Sequence, residues 1–413
     1  MVTTRVHGRA RTAALPFLAL MACACALLAQ PGATVAPSTD AARSLLVKGA
    51  RAQAVRMLGE IIGKNPRDGE ARLLLGTALD EDGRGAEAIE QLTEAIRLLP
   101  SSAEAHNALG EAFNNVNALA PARGEFEKAV QLDPDMAQAR VNLGMVLAQT
   151  GELASAAQHL DRALAMLGSK PEAALAHYLR AKVHTDLSEV EQASADLKQA
   201  VRLKPDFAEA WSDLGQARKT LQDDAGALAA FKRAVLLSPS DPVALTRLGA
   251  EYLDQGQVKL AIVQLEKAYR IDPKDQTTLN SLQTALRQDG QVEQARKVKQ
   301  QLVEVLRTRD TTTQNQLNAA RINNDGVALE KVGDLRGAVE KYRSAVDLDP
   351  ARVELRVNFA VALLKLGQWK PGLTQLREAM RQAPHDPVLK AAWDDAIRQA
   401  PPGSWTEPQP PRK

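Results

Sequence analysis

The sequence predicts an all-α solenoid, about ten helix-turn-helix units stacked in chain order and closed by a C-terminal capping helix. Three observations predict it. Prolines recur at a fixed interval: Pro66, Pro100 and Pro134 are 34 residues apart, as are Pro205, Pro239 and Pro273, and again Pro350 and Pro384. Between successive prolines, apolar residues fall at helical spacing in two runs separated by a turn. Aromatic residues are only 3% of 413, no stretch reads as a strand, and alanine and leucine dominate, which suits closely approaching helices.

The unit from Pro242 to Asp275 shows the pattern most completely. Leu245, Leu248 and Tyr252 share one helix face, and Gly256 stands where a left-handed residue closes a helix end. Ala261, Leu265 and Ala268 mark a second helix, which Pro273 stops because proline lacks the N–H and clashes with the preceding turn. Carried along the chain, the interval places unit starts near residues 35, 69, 103, 137, 174, 208, 242, 276, 319 and 353. The gaps from Pro134 to Pro205 and from Pro273 to Pro350 exceed two periods by three and nine residues, so each hides a unit without its proline. A small residue recurs where the two helices of a unit cross: Gly76, Gly110, Gly144, Ala181, Gly215, Gly249, Gly326 and Ala360, with Gln283 the exception. The turn glycine recurs as Gly83, Gly151, Gly256, Gly290, Gly333 and Gly367. The order L-G-x-x-Y, A-x-x-x-L, then P resembles the tetratricopeptide-repeat family. That resemblance implies a right-handed superhelix whose first helices line a concave, peptide-binding face.

The ends differ from the array. Arg5, Arg9 and Arg11 precede an apolar run from Ala13 to Ala29, the layout of a signal peptide over residues 1–29. Cleavage after Ala26 or Ala29 fits; so does a lipoprotein-like box, Leu20-Met21-Ala22-Cys23, with Cys23 as the candidate lipidation site. A retained anchor is the runner-up, the run being marginally short for a membrane span. The expected localisation is extracytoplasmic, with membrane contact only through such a leader or lipid. Cys23 and Cys25 both lie in the leader, so a processed chain would have neither disulfide nor catalytic thiol.

Residues 30–40 read as a flexible lead-in and 41–309 as the main array, with a degenerate first unit as its cap. Its least regular unit starts at Ala174, where His177 and Arg180 replace large apolar residues. The polar stretch 310–318 reads either as a joint between a long and a short array or as part of a longer helix pair in one continuous solenoid. Two more units follow over 319–386. Residues 387–400 then form a capping helix facing the array through Leu389, Ala392, Trp393 and Ile397, and 401–413 a disordered proline-rich tail.

Catalytic patterns are lacking. Gly59 to Asn65 imitates a phosphate loop but lacks the Ser or Thr for magnesium, and Asp80 to Gly85 imitates a calcium loop but puts Arg84 at a ligand position. No histidine pair stands four residues apart, so a helical zinc site has no support; His106 and His177 hold the packing position that Trp211 holds in its unit. No cofactor motif occurs. A net charge of +2 with interspersed signs argues against nucleic acid.

The resemblance places the candidate partner-binding residues on the inner face of the first helices: Glu104, Asn107, Glu111, Asn142, Tyr178, Arg247, Asn323, Asn324 and Asn358. Asparagine both donates and accepts, so these amides suit the backbone of a bound segment. The clamp for chaperone tails needs Lys at the fifth and Asn at the ninth position of one unit, and no unit has both. The expected function is a non-enzymatic scaffold that holds a peptide or helix of another protein, the alternative an envelope-tethered assembly factor.

Overall fold

The computed structural model describes residues 38–384 and 386–403. The expected signal peptide with Cys23, and the tail from residue 404, lie outside the described residues.

Among the described residues there are twenty helices and no strand. The first five units are α1 (Thr39–Val47) with α2 (Arg51–Lys64), α3 (Gly69–Glu81) with α4 (Gly85–Leu98), α5 (Ala103–Asn115) with α6 (Leu119–Leu132), α7 (Ala137–Gln149) with α8 (Leu153–Leu167), and α9 (Ala173–Asp186) with α10 (Val190–Leu203). Then come α11 (Ala208–Thr220) with α12 (Asp224–Leu237), α13 (Pro242–Asp254) with α14 (Val258–Ile271), and α15 (Gln276–Gln288) with the start of α16 (Val292–Lys331). The end of α16 pairs with α17 (Leu335–Leu348), α18 (Val353–Lys365) pairs with α19 (Trp369–Gln382), and α20 (Pro387–Gln399) closes the stack.

Every helix packs on the next in sequence, and most first helices also touch the first helix of the following unit, as α3 does α5 and α13 does α15. First helices therefore form the inner side. The core is a string of clusters in chain order; one runs from Phe231 through Tyr252 and Leu265 to Leu286, joining side chains of three successive units. Except across the middle of α16, each unit leaves an apolar side bare that its neighbour covers, the packing expected of a solenoid.

Two local rules hold the pairs together. At the crossing of a glycine unit, the first helix comes so close to the second that a Cβ has no room: one added at Gly215 would stand 2.5 Å from Cδ1 and Cε1 of Phe231. At the turn, the fifteenth residue of each unit has positive φ, including the expected Gly83, Gly151, Gly256, Gly290, Gly333 and Gly367. Asn117, Ser188 and Gln222 take the same conformation at φ 59°, 62° and 63° without being glycine.

The structure decides one open point of the sequence reading and departs from it in two places. Of the two readings left open for residues 310–318, the structure has the longer helix: they are the middle of α16, which runs unbroken through both units. No glycine or proline stands between Val292 and Asp325 to stop it. At the start, α1 opens at Thr39, inside the expected lead-in, because the Ser38 hydroxyl accepts the Ala41 N–H at 3.1 Å and caps the helix. On the capping helix, Ala396 is buried and Ile397 is 36% exposed, so α20 covers the last unit through Leu389, Trp393 and Ala396.

Candidate functional site

The inner face is built from side chains that first helices present to one another. Stacking brings residues about one period apart into contact, and the polar ones pair. Asn115 Nδ2 donates to Asp80 Oδ2 at 2.8 Å, and Asn142 Nδ2 donates to Asn107 Oδ1 at 3.0 Å and to Glu111 Oε1 at 2.7 Å. Arg247 Nη1 donates to Ser212 Oγ at 2.8 Å and to Asp213 Oδ1 at 2.7 Å. The hydroxyls of Thr246 and Thr278 meet at 2.6 Å. Lys219 pairs with Asp254 and with Glu251, whose side chain is 1% exposed. Toward the C-terminus, Asn358 Nδ2 donates to Asn323 Oδ1 at 3.0 Å and Lys365 Nζ to Glu330 Oε1 at 2.6 Å.

This ladder divides the candidate residues. Asn107 and Asn142 are buried and Asn323 and Asn358 half-buried, and their amides are engaged with each other. Glu111 is half-buried beneath Asn107 and Asn142. Burial pushes its carboxyl above the ordinary value, the two amides pull it part of the way back, and the charges of Asp80 and Glu81 push it up again. Tyr178 is half-buried, with its ring 4.8 Å from that of Phe207 and Lys182 Nζ 5.7 Å from its centroid. Its phenol is raised, by burial first and then by the Asp213 carboxylate. Glu104 and Asn324 are exposed; Glu104 accepts from the Ser102 hydroxyl at 3.0 Å. Asn280, Arg287 and Lys331 are also exposed on the inner positions.

Two clefts open on this face and share Arg247. One, of about 220 Å³, is bordered by Lys182, Asp186, Asp213, Gln216 and Thr220; the other, of about 280 Å³, by Val243, Thr246, Asp272 and Thr277.

A second set of polar pairs lies between the helices of a unit. The fourth residue faces the twenty-third: His106 Nδ1 lies 2.7 Å from Glu125 Oε2, and His177 Nδ1 lies 2.8 Å from Asp196 Oδ1. Arg180 Nε and Nη2 also donate to Asp196, at 2.8 and 2.6 Å. Burial alone would raise the Asp196 carboxyl, but His177 and Arg180 hold it below the ordinary carboxylate value. The unit at Ala174 thus replaces apolar packing with a buried ionic knot. Where the fourth residue is Arg or Trp it also reaches back six residues to the repeat proline: Arg72, Arg140, Trp211 and Arg356 donate to the carbonyls of Pro66, Pro134, Pro205 and Pro350 at 2.7 to 3.2 Å. Sequence reasoning missed these bonds, although the recurring donor six residues after these prolines was there to be seen.

Among the described residues no group of three or more His, Cys, Asp and Glu could hold a metal ion, and no helix is long and apolar enough to cross a membrane.

Profiles of the tetratricopeptide repeat match residues 39–103, 78–136, 119–174 and 143–194, then 208–241 and 243–275, and 329–392; a TPR repeat profile matches 181–222. No curated protein matches. Among solved structures, PilF of Pseudomonas aeruginosa is similar at 20% identity and TM-score 0.48, over 52% of this chain and 98% of that one. The C-terminal part of a TPR repeat-containing protein from Cytophaga hutchinsonii gives 14% identity and TM-score 0.43, over 59% and 99%. YrrB, described as a TPR protein with an unusual peptide-binding site, gives 23% and 0.39, over 47% and 98%.

Proposed function

The chain belongs to the tetratricopeptide-repeat family, and from that premise we propose that it is a non-enzymatic scaffold holding an extended or helical segment of a partner protein along its first helices. Proteins of this family are generally protein-interaction scaffolds, and the fold is typically non-catalytic. The observation that carries the specific reading is the pair of clefts meeting at Arg247 on the inner side. Adjacent openings on neighbouring units suit a segment laid across units, with its side chains seated at successive steps. Charge adds direction. Asp80, Glu104 and Glu111 give the early units a negative inner face, whereas Arg287 and Lys331 give the later ones exposed cations, so the partner segment would carry cations at one end and anions at the other.

The contacts belong to the residues that the ladder leaves free. Glu104, Asn324 and Arg287 should touch the partner, whereas Asn107, Asn142, Asn323 and Asn358 hold the units in register. In the test, partners captured by the wild-type chain are titrated against Glu104→Arg and Asn324→Trp. Both variants should keep full helical content and lose affinity at least tenfold; undiminished affinity in both removes the groove reading.

The leader read at residues 1–29 makes the proposed scaffold extracytoplasmic. The box ending at Cys23 favours a second reading, an envelope-tethered assembly factor. Intact mass of the processed chain separates them. A chain that begins at an acylated Cys23 supports the tethered form, and one that begins unmodified at Leu27 or Gln30 supports plain cleavage after Ala26 or Ala29.

A further inference from the structure

We propose that residues 307–314 of α16 are a helix–coil hinge, about which residues 319–400 turn as one body against the array before them. Neighbouring units elsewhere share core side chains, inner-face bonds or both. Across the middle of α16 neither is present among the described residues. The cluster holding Ala295, Val298 and Leu302 has Val305 and Leu306 at its edge, and the next cluster begins at Ala319. Between them, Arg307 to Gln314 are all exposed. No side-chain bond among the described residues joins 276–288 to 319–331. Among the described residues, the one side-chain hydrogen bond from the bare stretch to another helix is that of Arg309 Nη1, which donates to Gln276 Oε1 at 3.2 Å on the surface.

The stretch is also poorly suited to remain helical unaided. Thr308, Thr311, Thr312 and Thr313, with Asp310, are weak helix formers. The hydroxyls of Thr308, Thr311 and Thr312 each donate at 2.9 Å to the carbonyl four residues back, a bond that weakens and bends helices. Packing, not propensity, stabilises most protein helices, and here there is none. Opening therefore breaks a few solvated backbone bonds and exposes no core. The packed ends of α16 re-form the helix from both sides. Such opening would swing the inner face of the last two units, with Asn324 and Lys331, relative to Arg287. The hinge stands independently of what that face binds.

Hydrogen exchange of the full chain tests it. Amides of 307–314 should exchange at least about 100-fold faster than those in the middle of α13 and α17. Thr311→Ala, Thr312→Ala and Thr313→Ala together should slow that exchange by about tenfold. Thr312→Pro, which clashes with the preceding turn, should leave protection in α13 and α17 intact and broaden the size distribution seen by solution X-ray scattering. Equal protection in 307–314 and α13, an alanine triple variant without effect, or a proline variant that unfolds α17 to α20 would each overturn the hinge.

Discussion

Asn358 donates its side-chain amide to Asn323 at 3.0 Å, and Asn142 does the same to Asn107 at 3.0 Å, in units far apart on the chain. In both pairs the donor follows the acceptor by 35 residues. The same step separates Asn115 from Asp80 and Lys365 from Glu330. Residues at these positions are seated by their neighbours rather than held ready for a partner.

Asn142→Ala should cost about 1–3 kcal/mol, because it strands the buried Asn107 carbonyl oxygen and removes a donor from Glu111. Asn324→Ala, on the exposed neighbouring position, should change stability by less than about 0.5 kcal/mol. Chemical denaturation of both variants makes the comparison, and similar losses would show that the ladder contributes nothing.

The turns of three units force a side chain into left-handed backbone. Ser188→Gly and Gln222→Gly should each stabilise the protein by about 1 kcal/mol, since glycine takes that conformation without a Cβ penalty. Gly256→Ala, at φ 72°, should destabilise by a similar amount. Thermal melts that rank these variants otherwise would contradict the turn geometry.

At the crossing of α11 and α12, Gly215→Ala should cost about 1–3 kcal/mol by driving a methyl into the Phe231 ring. Adding Phe231→Leu should recover part of that loss. The double variant reproduces the pair found one unit earlier, where Ala181 and Leu197 stand at the same two positions and both are buried. A double variant no more stable than the single one would contradict the close-approach argument.

His159 stands where three other units have glutamine, two of them facing an arginine. Arg72 and Arg356 donate through Nη1 to Gln91 and Gln375 at 2.8 and 3.0 Å, but Arg140 Nη1 and His159 Nδ1 are buried without a hydrogen-bond partner among the described residues. Burial, then the charges of Arg140 and Arg162, depress the His159 imidazole below its ordinary value. A depressed folded value means that the unfolded chain binds the proton more tightly. The stability tied to neutral His159 is therefore present above the ordinary imidazole value and lost as pH falls through the folded one. His159→Gln should stabilise by about 1 kcal/mol at neutral pH, and its advantage should grow on acidification across that window. Urea titrations at a series of pH values read both effects.

Much of the fold was legible because proline and glycine punctuate it. The crossing at Gly215 and the turns at Gly83, Gly256 and Gly367 could be placed from spacing, since glycine recurs at both positions, where a Cβ is crowded or strained. The inner-face ladder was not legible: which atoms of Asn107 and Asn142 meet depends on how far one unit rotates on the next, and no local pattern encodes that. The missing proline between Pro273 and Pro350 showed that a unit had lost its stop, but not that the helix would run on to Lys331. Continuation there depends on α15 and α17 gripping the two ends of α16, a tertiary effect.

A photo-crosslinking residue placed in turn at Glu104, Asn324 and Arg287 on the inner side, and at Leu236 and Val263 on exposed second helices, tests the central claim most directly. The account predicts that the three inner positions capture a partner protein and the two outer ones do not. Capture from Leu236 or Val263, with none from the inner positions, would contradict it.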